Sequence, residues 1–241
     1  MTHDVFIVSG VLFDLDNTLF DRDGAVQHWA DNFARSCLDL HDDKARLEAA
    51  ALALALDAHG YGSKPAMFAA FREQYSVLSQ SLDDLVASFY KEMPAYATLD
   101  EGARRLLDAL DRARTPFGIV TNGTHHQMLT IGALGLDRRA QCILISEIVG
   151  CRKPDAAIFI AAASRLDLQP EEVLFVGDNP EADIGGAHRA GMRTAWLQRG
   201  QTWPAALSDR CVDFTISSLS EVIDIVLDTG GGRDDAHEDR A

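Results

Sequence analysis

The sequence predicts an α/β fold: a parallel sheet covered by helices on both faces, with a helical segment inserted after the first strand. Three observations carry that prediction. Short apolar runs alternate with helical patterns along most of the chain. Those runs are apolar throughout rather than at every second residue, the pattern of strands buried on both faces. Residues 21–97 break the alternation and show helical patterns alone.

The elements follow in order. The first strand is predicted over 8–13 and runs into Asp14-Leu15-Asp16-Asn17-Thr18. The insertion contains helical patterns at 25–38, 43–58, 65–78 and 82–93. The third of these begins with Pro65, a residue suited to a first helical turn. His59-Gly60-Tyr61-Gly62-Ser63 and residues 79–82 break the insertion. The alternation resumes with a helix at 101–114 that puts Leu106, Leu107 and Leu110 on one face. Strands are predicted at 117–121, 142–145, 173–176 and 194–197, with a weaker one at 213–216. Helices at 125–134, 156–166, 181–190 and 219–227 complete the set. The expected organisation is a discontinuous α/β core, 1–20 with 98–228, and a helical domain over 21–97. Residues 229–241, rich in glycine and charge, are expected to form a disordered tail.

Composition sets limits on partners. There are 37 acidic against 22 basic residues, a formal net charge of −15. That balance argues against nucleic acid and anionic membrane, which attract clustered positive charge. A small anionic substrate needs only a few local cations and is compatible with it. Cys37, Cys142, Cys151 and Cys211 show no C-x-x-C spacing, so reduced and mostly buried thiols are expected. The first apolar run is short and passes straight into Asp14 and Asp16, unlike a signal peptide. No apolar stretch approaches the ~18 residues that span a bilayer. A cytoplasmic chain, monomeric or homodimeric, is the expectation.

The chemistry collects where strands end. In an open parallel sheet, ligands bind beyond the carboxyl ends of the strands. Strand one ends at Asp14 and Asp16, strand two at Thr121-Asn122-Gly123, and strand four at Gly177-Asp178-Asn179. Lys153, before Pro154, opens the helix after strand three. Asp-x-Asp on an extended segment sets two acids on one side of the chain, and acids held that close call for a cation between them. Hard carboxylate oxygens suit Mg²⁺, leaving one carboxylate to attack an electrophile. Each motif alone is common, and Thr-Asn-Gly alone is a turn. Their joint placement at one sheet edge is specific.

These motifs resemble the haloacid dehalogenase-like hydrolase superfamily. The residues that carry the resemblance are Asp14-Leu15-Asp16-Asn17-Thr18, Thr121-Asn122-Gly123, Lys153-Pro154-Asp155 and Gly177-Asp178-Asn179-Pro180-Glu181-Ala182-Asp183. It spans about residues 8–226 and is closest to the phosphatase branch, with a helical cap between the first and second motifs. The resemblance implies a Rossmann-like core and a Mg²⁺-dependent phosphatase working through an aspartyl-phosphate. Asp14 is then the nucleophile and Asp16 the general acid and base. Thr121, the main-chain N–H of Asn122, and Gly123 bind phosphate with Lys153, which also supplies positive charge to the nucleophile. Asp14, the main-chain carbonyl of Asp16, and Asp178 hold the metal. Asn179 supports them, and Asp183 orients Lys153 or a metal-bound water, or is structural only.

Substrate choice is expected in the helical segment, with hinges near 20–23 and 97–101. Phe20, Arg22, His28, Trp29, His59, Tyr61, Arg72 and Tyr75 are candidates there. Phe68, Phe71 and Tyr75 fall at helical spacing, which favours core over pocket. His125 and His126 read as an exposed pair at a helix start, and no histidine has metal-ligand spacing. The expected substrate is a small phosphorylated metabolite, a sugar phosphate or a nucleotide. The same motifs fit a phosphomutase of the β-phosphoglucomutase type or a non-catalytic phosphometabolite-binding protein, whereas Asp16, Thr18 and Asp178 argue against a carbon-attacking dehalogenase, which needs neither the metal nor a second acid.

Overall fold

The computed structural model describes residues 8–227. The predicted tail, 229–241, lies outside the described residues. Six strands form one parallel sheet: β1 Gly10–Phe13, β2 Phe117–Thr121, β3 Cys142–Ile145, β4 Val173–Gly177, β5 Arg193–Leu197 and β6 Phe214–Ile216. Their order is β3-β2-β1-β4-β5-β6. The chain therefore steps outward from β1 in one direction and then returns to its other side. Phe13 pairs with Ile119 of β2 and with Val176 of β4, which sets the ends of these three strands side by side. That junction is the topological switch point, where open α/β sheets form their crevice. Strands β1, β2 and β4 are buried along their whole length.

Contacts divide the chain into two compact units. Among the described residues the first holds the sheet, built from residues 8–18, Glu101–Asn122 and 140–227. Its helices include α5 Glu101–Ala113, which buries Leu106, Leu107 and Leu110, the short α7 Ser146–Val149, and α8 Ala156–Arg165, capped by Asp155. A core of Leu12, Val120, Leu144, Ile158, Phe159 and Phe175 fills the space between α8 and the sheet. The helix read at 181–190 is instead a π-helical turn, Pro180–Gly185, followed by α9 Gly186–Arg189. Asn179 starts that turn by accepting hydrogen bonds from the N–H groups of Glu181 and Ala182. All four cysteines are free, with Cys142 and Cys211 buried and Cys37 and Cys151 half-buried.

The second unit comprises Leu19–Asp100 and Gly123–Arg139. It contains α1 Arg22–Ser36, α2 Asp43–Asp57, α3 Lys64–Gln74, α4 Leu82–Glu92 and α6 Gln127–Ala133. Side chains of Asp21, Asp42, Ser63 and Ser81 cap the first four helices. The two ends of the long segment run side by side at Phe20 and Leu99. Its core is an aromatic cluster. Trp29 lies 5.0 Å from Phe33, 6.0 Å from Phe68 and 4.8 Å from Phe89, and Phe33 lies 5.8 Å from Phe71. Phe20 and Trp29, candidates for substrate contact, are thus core residues. His126 stacks between Tyr90 and His125, with ring centroids 4.1 Å apart on each side.

Arg22, another candidate, is buried in an ion pair. Arg22 and Lys64 both meet the fully buried Asp57, Lys64 at 2.7 Å, and Asp57 also accepts from the Gly60 N–H at 2.9 Å. Burial alone would raise the Asp57 pKa, but the two cations hold it below the ordinary carboxylate value. Removing one member of such a group leaves uncompensated charge in the interior. Asp57→Ala is therefore expected to cost about 3–5 kcal/mol. Urea unfolding measures this, and a loss below about 1 kcal/mol would contradict the buried pairing.

Candidate active site

The site residues of the first unit come from three neighbouring strands and one turn. Asp14 follows β1, and its N–H donates to the Val176 carbonyl of β4 at 2.9 Å, so the sheet ladder continues to Asp14. Asn17 has φ 59°, a left-handed conformation that asparagine tolerates better than most residues. The chain turns there, and the Thr18 N–H reaches the Leu15 carbonyl at 3.3 Å. Thr121 ends β2 and is buried. Asp178 follows β4.

Lys153 joins these elements. Although it lies in a turn, it is only 2% exposed. Its Nζ donates to Asp14 Oδ1 at 2.5 Å and pairs with Asp183 Oδ1 at 2.6 Å. The Asn122 side chain fixes the lysine's main chain at both polar groups: Nδ2 donates to the Lys153 carbonyl and Oδ1 accepts from its N–H, each at 2.9 Å. Asp183 is held in turn by the Asn179 N–H, which donates to Oδ2 at 3.0 Å. Gly177 is what lets Asp183 approach the strand. A Cβ there would come within 2.4 Å of the Asp183 carboxylate.

Carboxylate oxygens of Asp14, Asp178 and Asp183 lie within 4.8 Å of one another. Burial, then the charges of Asp14 and Asp183, push the Asp178 carboxyl up to about 8. Burial likewise pushes Asp183 up to about 6, although Lys153 pulls the other way. For Lys153, burial favours the neutral form, but Asp14 and Asp183 outweigh it and raise its pKa. Lys153 is thus the buried cation of these acids, paired with two of them, and Arg199 also acts on Asp178. Oxygen-only donors in a crowded, partly desolvated group fit a hard divalent cation, which would relieve the repulsion. The Asp16 side chain is half-buried and is not a member of this carboxylate group.

The sign of the resulting pH dependence is definite. Asp178 binds its proton more tightly folded than unfolded. The stability this contributes is full below pH 3.8 and is lost as pH rises through about 8. Asp178→Asn keeps the shape and removes the charge. In EDTA its thermal midpoint is expected to exceed that of the unsubstituted chain, with the gap opening between pH 4 and 8 to several degrees. Millimolar Mg²⁺ is expected to raise the midpoint of the unsubstituted chain and not of the variant. Thermal melts across pH, with and without metal, check both, and equal melts at pH 9 would refute the crowding.

The family model for haloacid dehalogenase-like hydrolases matches residues 8–191. The chain belongs to this family. The hydrolase is 40% identical to a glyceraldehyde 3-phosphate phosphatase of Methanopyrus kandleri over 112 residues, 45% of this chain and 48% of that protein. That match thus spans about half of the relative's length. It is 27% identical to a glyceraldehyde 3-phosphate phosphatase of Pyrococcus furiosus over 242 residues, 94% of this chain and 96% of that protein. The fold is shared with the putative HAD-hydrolase YfnB of Bacillus subtilis, at a TM-score of 0.70 and 24% identity, over 91% of this chain and 99% of that one.

Sequence reasoning assigned Asn122 to phosphate through its main chain and gave its side chain no task. In the hydrolase that side chain holds Lys153, a partnership across 31 positions that no local pattern announces. Trp196 of β5 was also missed: its Nε1 donates to the Asp178 carbonyl at 2.9 Å. Gly123 falls in the second unit, where a Cβ would meet the Gln127 side chain at 2.7 Å. Of the substrate-contact candidates, His28, His59, Tyr61 and Arg72 remain exposed. Among the described residues no helix is long and apolar enough to cross a membrane.

Proposed function

We propose that this chain is a Mg²⁺-dependent phosphoric monoester hydrolase that cleaves a small phosphorylated metabolite, a sugar phosphate or a nucleotide, through an aspartyl-phosphate on Asp14. The observation that carries the reading is the Asp14 carboxylate at the end of the central strand, paired with buried Lys153 at 2.5 Å and grouped with Asp178 and Asp183. The two similar glyceraldehyde 3-phosphate phosphatases support the substrate class.

An Asp14 oxygen attacks phosphorus, and the bond from phosphorus to the ester oxygen breaks. Asp16 gives its proton to the departing alkoxide. It then takes a proton from water, whose oxygen attacks the phosphoryl group. The bond from phosphorus to Asp14 breaks, and inorganic phosphate leaves. Thr121 and the Asn122 N–H bind phosphoryl oxygens, and Lys153 neutralises charge on them and on Asp14. Asp14, the Asp16 carbonyl and Asp178 hold Mg²⁺, which when bound offsets the charge of the phosphoryl group. Asp183 and Asn122 keep Lys153 in place. We assign the choice of leaving group to the helical unit, as its cap, and the chain to the cytoplasm.

The test is phosphate release from a panel of phosphorylated metabolites with Mg²⁺ and with EDTA, Asp14→Asn serving as control. Metal-dependent release lost in the variant supports the reading, and the best substrate gives the class. Release that needs a bisphosphate activator indicates the mutase. Tight ligand binding without turnover indicates the binding protein.

A further inference from the structure

Trp196 stands outside the acid group yet touches its frame. It is buried on β5, where it pairs in register with Gly177 of β4. Its indole N–H crosses to the next residue of that chain and donates to the Asp178 carbonyl at 2.9 Å. Strand β4 ends at Gly177, so Asp178 sits where the main chain leaves the sheet. The direction of its carboxylate depends on what holds that peptide. An indole has one donor on a rigid ring with two side-chain torsions, which makes it a stiff anchor. The ring itself is fixed edge-on against Trp203, centroids 5.1 Å apart at 78°, in a small cluster with Ile184 and Cys211. Trp203 donates its own N–H to the Leu207 carbonyl at 3.2 Å, away from the acids.

We propose that Trp196 is a positioning residue of the metal site: its N–H fixes the Asp178 main chain so that the carboxylate is aimed for a divalent cation. This rests on the Mg²⁺ reading above. A ring that merely filled the Trp203 cluster would serve equally well without its N–H.

The experiment is calorimetric titration of the EDTA-stripped full chain with Mg²⁺ and with Mn²⁺, in the unsubstituted protein, Trp196→Phe and Trp203→Phe. Trp196→Phe is expected to weaken metal binding about 10-fold or more, the usual effect of losing a group that orients a ligand. Trp203→Phe is expected to bind metal as the unsubstituted chain does. In a Trp29→Phe/Trp203→Phe background Trp196 is the sole tryptophan, and its emission is expected to shift at the calorimetric midpoint. This second arm reads the intact contact even where Trp196→Phe fails to fold. If the unsubstituted chain binds neither metal, the Mg²⁺ reading falls and the positioning role with it. If it binds metal while Trp196→Phe binds equally well, or the lone Trp196 emission does not respond, the positioning role alone is overturned.

Discussion

Asp14→Asn is expected to lower kcat for Mg²⁺-dependent phosphate release by about 10⁴-fold or more while the chain stays folded. The amide has almost the shape of the carboxylate, but its uncharged oxygen is a far weaker nucleophile toward phosphorus. No neighbour is placed to replace it. Asp183 is bound to Lys153 at 2.6 Å, and the Asp178 carboxyl is pushed up to about 8 by burial and by its acidic neighbours. Both are poorer nucleophiles in those surroundings, and neither follows the central strand. Folding should survive because Lys153 keeps Asp183, and because one of three mutually repelling acids has been neutralised. Rates with a phosphate-ester panel, together with a melt in EDTA, measure the two halves of the claim. A folded Asp14→Asn protein with more than a tenth of the original kcat would remove Asp14 from the nucleophile role.

The sheet was legible because each strand is a continuous apolar run with a helix or a turn at either end. Such a run has few alternatives once the alternation is seen, as β2 at Phe117–Thr121 and β3 at Cys142–Ile145 show. The insertion was legible as helices because its signals are local: helical patterns over four stretches, the third of them beginning with Pro65. The helix expected at 181–190 began as a π turn because Asn179 and Asp183 tie the backbone on either side of Pro180. Pro180 stands at the first helical position, where no ladder partner is needed, so this tie and not the proline sets the turn.

The site was legible in its acids and illegible in its supports. Asp14, Thr121 and Asp178 lie at strand ends, so topology alone predicts that they meet. The partners that fix them act across long separations. Asn122 reaches Lys153, and Trp196 reaches Asp178 from the adjoining strand. Periodicity carries no information about such pairs. Gly177 is the one support with a local signal: a glycine between an apolar strand and an acid marks a place where another group comes close. Among the substrate-contact candidates, an aromatic or an arginine at helical spacing could not be told from core by pattern. Trp29 and Arg22 proved to be packed inside.

Lys153→Met should be the most destabilising change at the site. Methionine matches the lysine stem in length and takes away only the charge. Asp14, Asp178 and Asp183 would then lie within 4.8 Å of one another without the buried lysine that now pairs with two of them. Leaving buried charge unpaired in this way costs about 3–5 kcal/mol, which lowers the thermal midpoint by roughly 10 °C in a chain of this size. In the unsubstituted protein the Lys153 pKa is raised above its ordinary 10.5, so the lysine stays charged throughout the neutral range and loses its charge only in strong alkali. The variant should gain stability more steeply than the unsubstituted chain as pH falls toward 5, because the acids left without the lysine then take up protons. Asp183→Asn alone should destabilise by stripping Lys153 of one partner. Added to Lys153→Met, it should stabilise by removing one of the repelling charges. That reversal of sign in a double-mutant cycle isolates the Lys153–Asp183 interaction from packing. Millimolar Mg²⁺ should restore part of the lost midpoint by placing a cation among the same carboxylates. Turnover should fall by a further 10²–10³-fold, on the order expected when a fixed charge beside the reacting group is lost. A Lys153→Met protein that melts within 2 °C of the original in EDTA at pH 8 would show that the three acids do not depend on this lysine for their folded arrangement.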